Sequence, residues 1–217
     1  MFVTRGKKLV EIDRAKLDEI ISGYEKVFLD IGAGSGKFIY RLAKKNPSDY
    51  FIGLDTSHSS VLEYARRIEK KPSRGGLPNV LCVIGSVESP PEDLLQIADE
   101  IFVNYPWTRF LKALVTGEAS VLEGISSLLR VEGVLNMTVC YDELCEPAFI
   151  EEYGLPKLSD EYIRTNMASA YERCGFKLES VETLNSDEMK KSLSGWGKKL
   201  AFGRERRACR IRFFKRG

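Results

Sequence analysis

An aspartate and three alternating glycines form the part of this chain best suited to hold a small ligand. Asp30 lies in the apolar stretch 27–31, and glycines follow it at every second position. A buried strand that runs into glycines and then a helical pattern makes a tight turn, where backbone can approach a ligand closely. Turns that bind dinucleotides are spaced G-x-G-x-x-G and hold a pyrophosphate at the helix N-terminus. The spacing here is G-x-G-x-G, and the neighbouring carboxylate repels phosphate and attracts an ammonium group.

The charge at this turn favours S-adenosylmethionine (SAM) as the cofactor. SAM carries an α-ammonium and a sulfonium and no phosphate, so a carboxylate suits it better than it suits NAD. The turn resembles motif I of the Rossmann-like SAM-dependent methyltransferases. An ordinary glycine-rich corner between a strand and a helix is the alternative.

The elements that must position this turn alternate along the chain. Strands are predicted at 26–31, 50–54, 80–84, 100–104, 133–139, 176–184 and 208–214, and helices at 13–24, 37–45, 59–70, 119–129 and 160–174. This alternation predicts right-handed crossovers and a mostly parallel sheet with helices on both faces. Because the last two strands are joined by a short segment that includes a loop, we expect the final strand to run antiparallel. The predicted fold class is α/β, a Rossmann-like seven-stranded sheet with an N-terminal β-hairpin over residues 1–12.

Length and composition predict a single domain over residues 1–217. The chain is 43% apolar, which supplies an ample core without disulfides. Its five cysteines are scattered and form no C-x-x-C pair, which indicates reduced thiols and no zinc site. No apolar run approaches the length of a membrane span, and the N-terminal residues lack the apolar region of a secretion signal. We expect a cytoplasmic monomer that binds no metal and no membrane.

Further candidate ligand-binding residues follow the carboxyl ends of the predicted strands, where open α/β sheets bind their ligands. Asp55 ends the second strand and suits a ribose diol, with a helix N-cap as the alternative. Val87 and Glu88 follow the third strand, where they could meet an adenine edge. Asn104 ends the fourth strand and leads to Pro106. The predicted cofactor-binding residues are Asp30, Gly32, Gly34, Gly36, Asp55, Val87, Glu88, Asn104 and Pro106.

The chain contains two tryptophans, and both lie where they could face a planar methyl acceptor. Trp107 follows a proline after the fourth strand, and an aromatic beside a rigid proline offers a stacking face. Asn104–Trp107 is also loosely like the Asn-Pro-Pro-aromatic motif of amino-group methyltransferases, and a tryptophan that plugs the sheet edge is a further alternative. Trp196 has glycine on both sides, so we predict an aromatic on a basic loop, residues 185–207, between the last two strands.

Charge is distributed unevenly along the chain. Residues 188–217 hold eleven Lys or Arg and two acidic residues, a net +9, so residues 1–187 carry −7 of the total of +2. A second basic run lies at 66–74. Basic segments on an acidic body are typical of a surface that binds a polyanion. A solvated tail and a favourably charged helix C-terminus are the alternative explanation.

Four segments make the chain resemble the aminoglycoside-resistance 16S ribosomal RNA methyltransferases that act on N1 of adenine 1408. They are Lys70–Asn79, Pro106–Trp107, Gly154–Pro156 and Trp196–Arg204. The resemblance covers nearly the whole chain. It implies SAM as the cosubstrate, the 30S subunit with its 16S rRNA as the partner, and antibiotic resistance as the outcome.

The resemblance also implies roles for individual residues. Trp107 and Trp196 would sandwich a flipped-out adenine, and Ser194 would support its position. The residues around the glycine turn would hold the cosubstrate. The residues expected to contact RNA are Arg66, Arg67, Lys70, Lys71, Arg74, Lys198, Lys199, Arg204 and Arg206.

The chain departs from the family pattern at four positions near the predicted site. Ser35 stands where the family usually has an acidic residue, and Thr56 where it has proline. Tyr105 and Thr108 stand where the family has phenylalanine and glycine. A change at Thr108 could alter the backbone that carries Trp107. Two other functions remain open: methylation of another RNA site, a small molecule or a protein, and a non-enzymatic module that binds SAM or the ribosome.

Overall fold

One nine-stranded sheet organises the molecule in the computed structural model, which describes residues 1–202 and 205–217. The strands are β1 Phe2–Arg5, β2 Lys8–Glu11, β3 Val27–Ile31, β4 Tyr50–Asp55, β5 Val80–Ile84, β6 Ala98–Asn104, β7 Leu129–Val139, β8 Phe176–Leu184 and β9 Ala208–Lys215. Their order is β2-β1-β5-β4-β3-β6-β7-β9-β8. The central five strands are parallel, and β9 runs antiparallel between β7 and β8, as predicted.

The α/β class and the N-terminal hairpin are confirmed, but the predicted strand count of seven is wrong. The hairpin β1–β2 does not stand apart from the sheet, because β1 pairs antiparallel with β5 and extends that edge by two strands. The N-terminal ammonium reinforces this attachment through an ion pair of 2.6 Å with Asp93. The hairpin therefore continues the sheet beside the strands that end at the predicted cofactor site.

Helices cover both faces of the sheet. They are α1 Arg14–Ile21, α2 Lys37–Lys45, α3 His58–Ile68, α4 Thr108–Thr116, α5 Ala119–Leu128, α6 Pro147–Tyr153, α7 Asp160–Tyr162, α8 Ala168–Arg173, α9 Ser186–Lys191 and α10 Gly195–Leu200. A π-helical turn, Ile163–Met167, joins α7 to α8. No helix in the described ranges is long and apolar enough to cross a membrane.

Successive residues of the central strands face two separate apolar clusters. In β4, Phe51 packs with residues of α2 and α3, whereas Ile52 and Leu54 belong to the larger cluster that contains α4, α5 and α8. This alternation follows from the two-residue period of a strand, and burial on both faces explains why the strands read as continuous apolar runs. The sheet is therefore a rigid support for the loops at its carboxyl edge.

The segment 185–207 is not simply a loop, contrary to the prediction. It contains α9 and α10, and Trp196 lies in the first turn of α10 rather than in irregular structure. The Ser194 hydroxyl caps this helix by accepting a hydrogen bond of 3.3 Å from the Gly197 N–H. Such a cap supplies an acceptor that a short, glycine-containing helix would otherwise lack, which offsets the low helix propensity of the sequence.

Candidate active site

The glycine turn joins β3 to α2 and is fastened to the end of β4. Gly32, Gly34 and Gly36 all adopt positive φ, at +72°, +53° and +76°, a region that only glycine enters without strain. The Gly34 N–H donates a hydrogen bond of 2.7 Å to Asp55 Oδ2. Asp55 Oδ1 accepts a second one, of 2.9 Å, from the N–H of Ser57. Ser57, rather than Asp55, is the N-cap of α3, and Asp55 holds the turn and lines the adjacent cavity.

Asp30 is a buried carboxylate beside this turn. Its side chain is only 3% exposed, and burial raises its pKa from 3.8 to about 7, with a smaller contribution from the nearby Asp55 carboxylate. The opposing contact is a long hydrogen bond of 3.4 Å donated by Asn104 Nδ2. A carboxylate with so little compensation is suited to receive a cationic group, because a cation favours the charged form that burial disfavours.

Two cavities meet at Gly32 along the carboxyl edge of the sheet. The first, of about 250 Å³, is lined by Asp55, Val87 and Glu88. The second, of about 400 Å³, is lined by Asp30, Gly34, Asn104, Ser194 and Trp196, among others. Together they form one groove, with carboxylates in both halves and glycine backbone between them. Gly36 does not line either cavity; it is the N-cap of α2, and it lies behind the groove.

The structure adds groove residues that the sequence pattern did not indicate. Arg109 and Phe110 of α4 line the smaller cavity, and a Cβ on Gly32 would lie 3.7 Å from the Phe110 ring. Lys37 and Glu63 line the larger one. The apolar spacing of α4 could have indicated its helix, but no sequence signal shows that Phe110 covers the glycine turn. Within residues 1–202 and 205–217, no cluster of three or more His, Cys, Asp or Glu side chains could hold a metal ion.

A third cavity, of about 160 Å³, brings the two tryptophans together. Its lining residues are Tyr105, Pro106, Trp107, Cys140, Trp196 and Leu200. Trp196 also lines the larger half of the groove, so this third space, called here the acceptor cavity, adjoins the predicted cofactor site. Pro106 lies in the acceptor cavity and not in the groove, where the sequence placed it. Trp107 and Trp196 are 41% and 52% exposed, which is unusual for tryptophan.

One face of Trp107 is already covered within the protein. Its indole stacks on the Phe149 ring of α6, with centroids 4.3 Å apart and planes 9° apart, and Tyr153 packs behind Phe149 at 4.8 Å. Because an indole has two faces, Trp107 can stack a further ring on one side only. With 41% of its surface exposed, Trp107 does not plug the sheet edge. The Phe149 ring nevertheless holds one face of its indole in place. No pattern in the sequence indicated Phe149, because α6 was not predicted.

A hydrogen bond attaches the segment that carries Trp196 to helix α2 beside the groove. Arg41 of α2 donates a hydrogen bond of 2.8 Å to the carbonyl of Leu193. Ser194, which follows, is 6% exposed and lines the larger cavity of the groove while it caps α10. The Lys199 ammonium lies 5.0 Å from the Trp196 ring centroid, within the range of a cation–π contact. Ser194 thus lies between the predicted cofactor site and the acceptor cavity.

The first group of predicted RNA-contacting residues forms an exposed basic surface at the end of α3. Its members are Arg66, Arg67, Lys70, Lys71 and Arg74. Across the part of the chain that the structure describes, none of them forms an ion pair within 4.0 Å. The loop packs closely at its base, because a Cβ on Gly76 would lie 1.6 Å from the Lys70 carbonyl oxygen and only glycine fits there. The Arg67 guanidinium lies over the Tyr40 ring, 4.7 Å from its centroid, so the other four charges are the ones most available to a polyanion.

Much of the C-terminal basic run is neutralised, in contrast. Arg206 pairs with Glu146, and the two side chains are only 15% and 13% exposed. Arg210 and Arg212 pair across β8 and β9 with acidic partners, Glu182 and Glu179. The local net charge of +9 counted from the sequence therefore overstates the charge that faces solvent. Lys198 and Lys199 extend from α10, and Arg204 lies outside the described residues.

Comparisons with known proteins agree with this geometry. The family model NpmA, described as 16S rRNA (adenine(1408)-N(1))-methyltransferase, matches residues 3–214. A 16S rRNA (adenine(1408)-N(1))-methyltransferase from Escherichia coli is 34% identical over 212 residues, which cover 97% of each protein. One from Streptoalloteichus hindustanus is 26% identical and covers 93% of this chain and 92% of that protein.

Solved structures give the same result. A variant of the 16S rRNA (adenine(1408)-N(1))-methyltransferase from Catenulisporales acidiphilia, solved with cosubstrate SAM, has a TM-score of 0.90 at 26% identity, covering 100% of this chain and 97% of that chain. The antibiotic-resistance methyltransferase Kmr has a TM-score of 0.81 at 33% identity, covering 99% of this chain and 100% of that chain. The chain therefore belongs to the family of SAM-dependent 16S rRNA (adenine(1408)-N(1))-methyltransferases.

Proposed function

We propose that this protein transfers a methyl group from SAM to N1 of adenine 1408 in 16S rRNA within the 30S subunit, and thereby confers aminoglycoside resistance. The observation that carries the proposal is the acceptor cavity, where two exposed tryptophans meet beside a groove with a buried carboxylate. A planar base fits between aromatic side chains, and the carboxylate suits the α-ammonium of SAM. Family membership supplies the identity of the base.

The groove residues fit SAM in chemical type. Asp30 would receive the ammonium, since its buried carboxylate has no cationic partner among the described residues. Asp55 would accept from the ribose hydroxyls, and Val87 with Glu88 would meet the adenine ring and its amine. When bound, SAM supplies an electrophilic methyl group. At the end of the groove nearest Ser194 and Trp196, the chain's own residues would hold that group.

The acceptor residues act by positioning. N1 of adenine carries an in-plane lone pair and is neutral at pH 7, so no general base has to remove a proton before attack. Flipping the base out of its helix costs a few kcal/mol, and stacking contributes roughly 1–3 kcal/mol per base on each aromatic partner. Trp107, backed by Phe149, and Trp196 would offset that cost and exclude water. Holding the two reacting atoms in line then supplies most of the rate enhancement.

Recognition of the ribosome would depend on charge and shape rather than on reading bases. The exposed basic surface around Lys70 and Lys71 would contact phosphates, together with Lys198 and Lys199. Arg206 would contribute through the part of its side chain that remains exposed beside Glu146. Such contacts give affinity without sequence information, so the fold of the decoding region would select the site. We also propose that the protein acts in the cytoplasm as a monomer and requires no metal.

Transfer of tritium from labelled SAM tests this function. We expect label in intact 30S subunits, and none in subunits that carry guanine at position 1408. Label in both kinds of subunit would show a different target and overturn the proposal. Label in small molecules or in protein, with none in 30S subunits, would instead support the other methyltransferase functions that the sequence left open.

A further inference from the structure

Tyr105 and Gly197 approach each other unusually closely beneath the acceptor cavity. A Cβ added to Gly197 would lie 2.6 Å from each of Cε2, Cζ and Oη of the Tyr105 ring. Both residues are buried, and Tyr105 is only 4% exposed. Glycine at position 197 therefore allows the backbone of α10 to rest directly on the phenol ring.

This contact joins the two segments that carry the tryptophans. Tyr105 precedes Trp107 by two residues, and Gly197 directly follows Trp196. Tyr105 and both tryptophans line the same cavity. The Tyr105 ring thus lies between the start of α10 and the turn after β6. Because each of these segments carries one tryptophan, the thickness of the ring also determines the distance between the two indoles.

The ring keeps this position although the local structure is unfavourable for it. Tyr105 has a φ of +52°, a left-handed conformation that is costly for an aromatic residue. Its hydroxyl is buried without a hydrogen-bond partner of good geometry in the ranges that the structure describes, and Ser192 is the polar side chain that faces it. Neither feature stabilises the fold, so the packing of the ring is the contribution that remains.

We propose that the contact between Tyr105 and Gly197 sets the spacing of Trp107 and Trp196. Tyr105 and Gly197 are therefore positioning residues for methyl transfer. The inference rests on the proposed function. Two of the three contacting atoms, Cε2 and Cζ, belong to the aromatic ring and would remain in a phenylalanine at position 105.

Steady-state methylation of 30S subunits by single and double variants tests the inference. Gly197→Ala should lower kcat at least tenfold and leave the dissociation constant of SAM, measured by calorimetry, within threefold. Tyr105→Leu removes all three contacting atoms, Cε2, Cζ and Oη, so the double variant should be at least fivefold more active than Gly197→Ala. Tyr105→Phe keeps the ring and should retain most of the activity. Gly195→Ala is the matched control, because its Cβ would meet Lys37 Cδ at an ordinary 3.7 Å, and its loss should be at least fivefold smaller.

Additive losses in the double variant, or an unaffected Gly197→Ala, would overturn the inference. So would a Tyr105→Phe variant as inactive as Gly197→Ala. If Gly197→Ala fails to fold, the inference requires that Tyr105→Leu alone lower kcat without weakening the binding of SAM. Near-ultraviolet circular dichroism of the free protein separates this result from failure of the proposed function. A changed indole signal in Gly197→Ala that Tyr105→Leu restores supports the contact even when 30S subunits accept no methyl group.

Discussion

The cofactor groove and the acceptor cavity are built in different ways. The glycine turn at the centre of the groove follows from a short stretch of chain, a strand, a turn and a helix, and a hydrogen bond of 2.7 Å from Gly34 to Asp55 fastens it. The acceptor cavity is lined by three distant segments, which carry Trp107, Cys140 and Trp196, and Phe149 supports Trp107 from behind. The groove lies on the rigid carboxyl edge of the sheet, whereas α6 and α10 are short helices attached to that edge by side-chain contacts. The two regions should therefore respond separately to substitution.

The largest effect is expected when the acceptor cavity loses an indole. Trp196→Ala and Trp107→Ala each remove a stacking partner worth roughly 1–3 kcal/mol, which corresponds to about a 5- to 150-fold loss of kcat/KM on 30S subunits. The dissociation constant of SAM should change less than threefold. Trp→Phe at either position should retain more activity than Trp→Ala. Equal loss of SAM binding would show that the two regions are not separable.

A comparably large effect is expected in the groove from pH. Because burial raises the pKa of Asp30 to about 7, the ligand-free protein must lose a proton before this side chain can pair with the SAM ammonium. Calorimetry should show SAM binding about tenfold more tightly at pH 7.5 than at pH 5.5, since the α-amino group of SAM keeps its proton below about pH 7.7. Asp30→Asn should bind SAM weakly at both pH values. A wild-type affinity that does not change with pH would contradict the role of Asp30.

The same group gives a stability test of opposite sign. The folded-state pKa of Asp30 lies above its ordinary value of 3.8, so its contribution to stability is fully present below pH 4 and is lost as the pH rises through about 7. Asp30→Asn should therefore be more stable than the wild type at pH 7.5, and equally stable at pH 4, in urea unfolding of the SAM-free protein.

An intermediate effect is expected from the support behind Trp107. Phe149→Leu keeps an apolar side chain but removes the stacked ring, and an aromatic pair contributes about 0.5–1.5 kcal/mol beyond its buried area. Methylation of 30S subunits should lose roughly 2- to 12-fold in kcat/KM, by the same conversion, with SAM affinity unchanged. Phe149→Tyr retains the ring and should stay close to wild type. A Phe149→Leu variant with the kcat/KM of the wild type would show that Trp107 does not need this support.

A smaller effect should separate the free basic surface from the paired one. Lys71→Ala removes a charge without an ion-pair partner in the described ranges. The slope of the logarithm of 30S affinity against the logarithm of salt concentration should therefore become less steep by about one. Arg210→Ala is the matched control, because Glu182 already pairs with it at 2.7 Å. Filter binding at several salt concentrations measures both slopes. Equal changes for the two variants would contradict the assignment of the surfaces.

The smallest effect concerns strain beside Trp107. Thr108 has a φ of +52°, and such strain costs about 1–3 kcal/mol in a residue other than glycine. Thr108→Gly should remove this strain, and the gain should exceed the entropic cost of introducing glycine. The melting temperature should therefore rise by roughly 2–4 °C. Thr116→Gly, at the other end of α4, should lower it. If both variants lose stability equally, Thr108 is not strained.

The sequence predicts the cofactor groove better than it predicts the acceptor cavity. The glycine spacing and the position of Asp30 predicted the groove, because local chemistry determines that turn. The hairpin was predicted, but its pairing with β5 was not, since strand partners depend on contacts far apart in the chain. Phe149, Phe110 and the ion pair of Arg206 were missed for the same reason. The two tryptophans were singled out by the proline beside Trp107 and the glycines beside Trp196, and the family resemblance supplied their joint role; their shared cavity is a product of tertiary packing.

The most direct test of the central claim is primer extension across the decoding region of 30S subunits incubated with SAM and protein. Methylation of N1 blocks the Watson–Crick edge, so wild-type protein should produce a stop one nucleotide before adenine 1408. Trp196→Ala at saturating SAM should produce little or none. A stop at another base, or an undiminished stop from the Trp196→Ala protein, would contradict the account of an acceptor cavity built between two tryptophans.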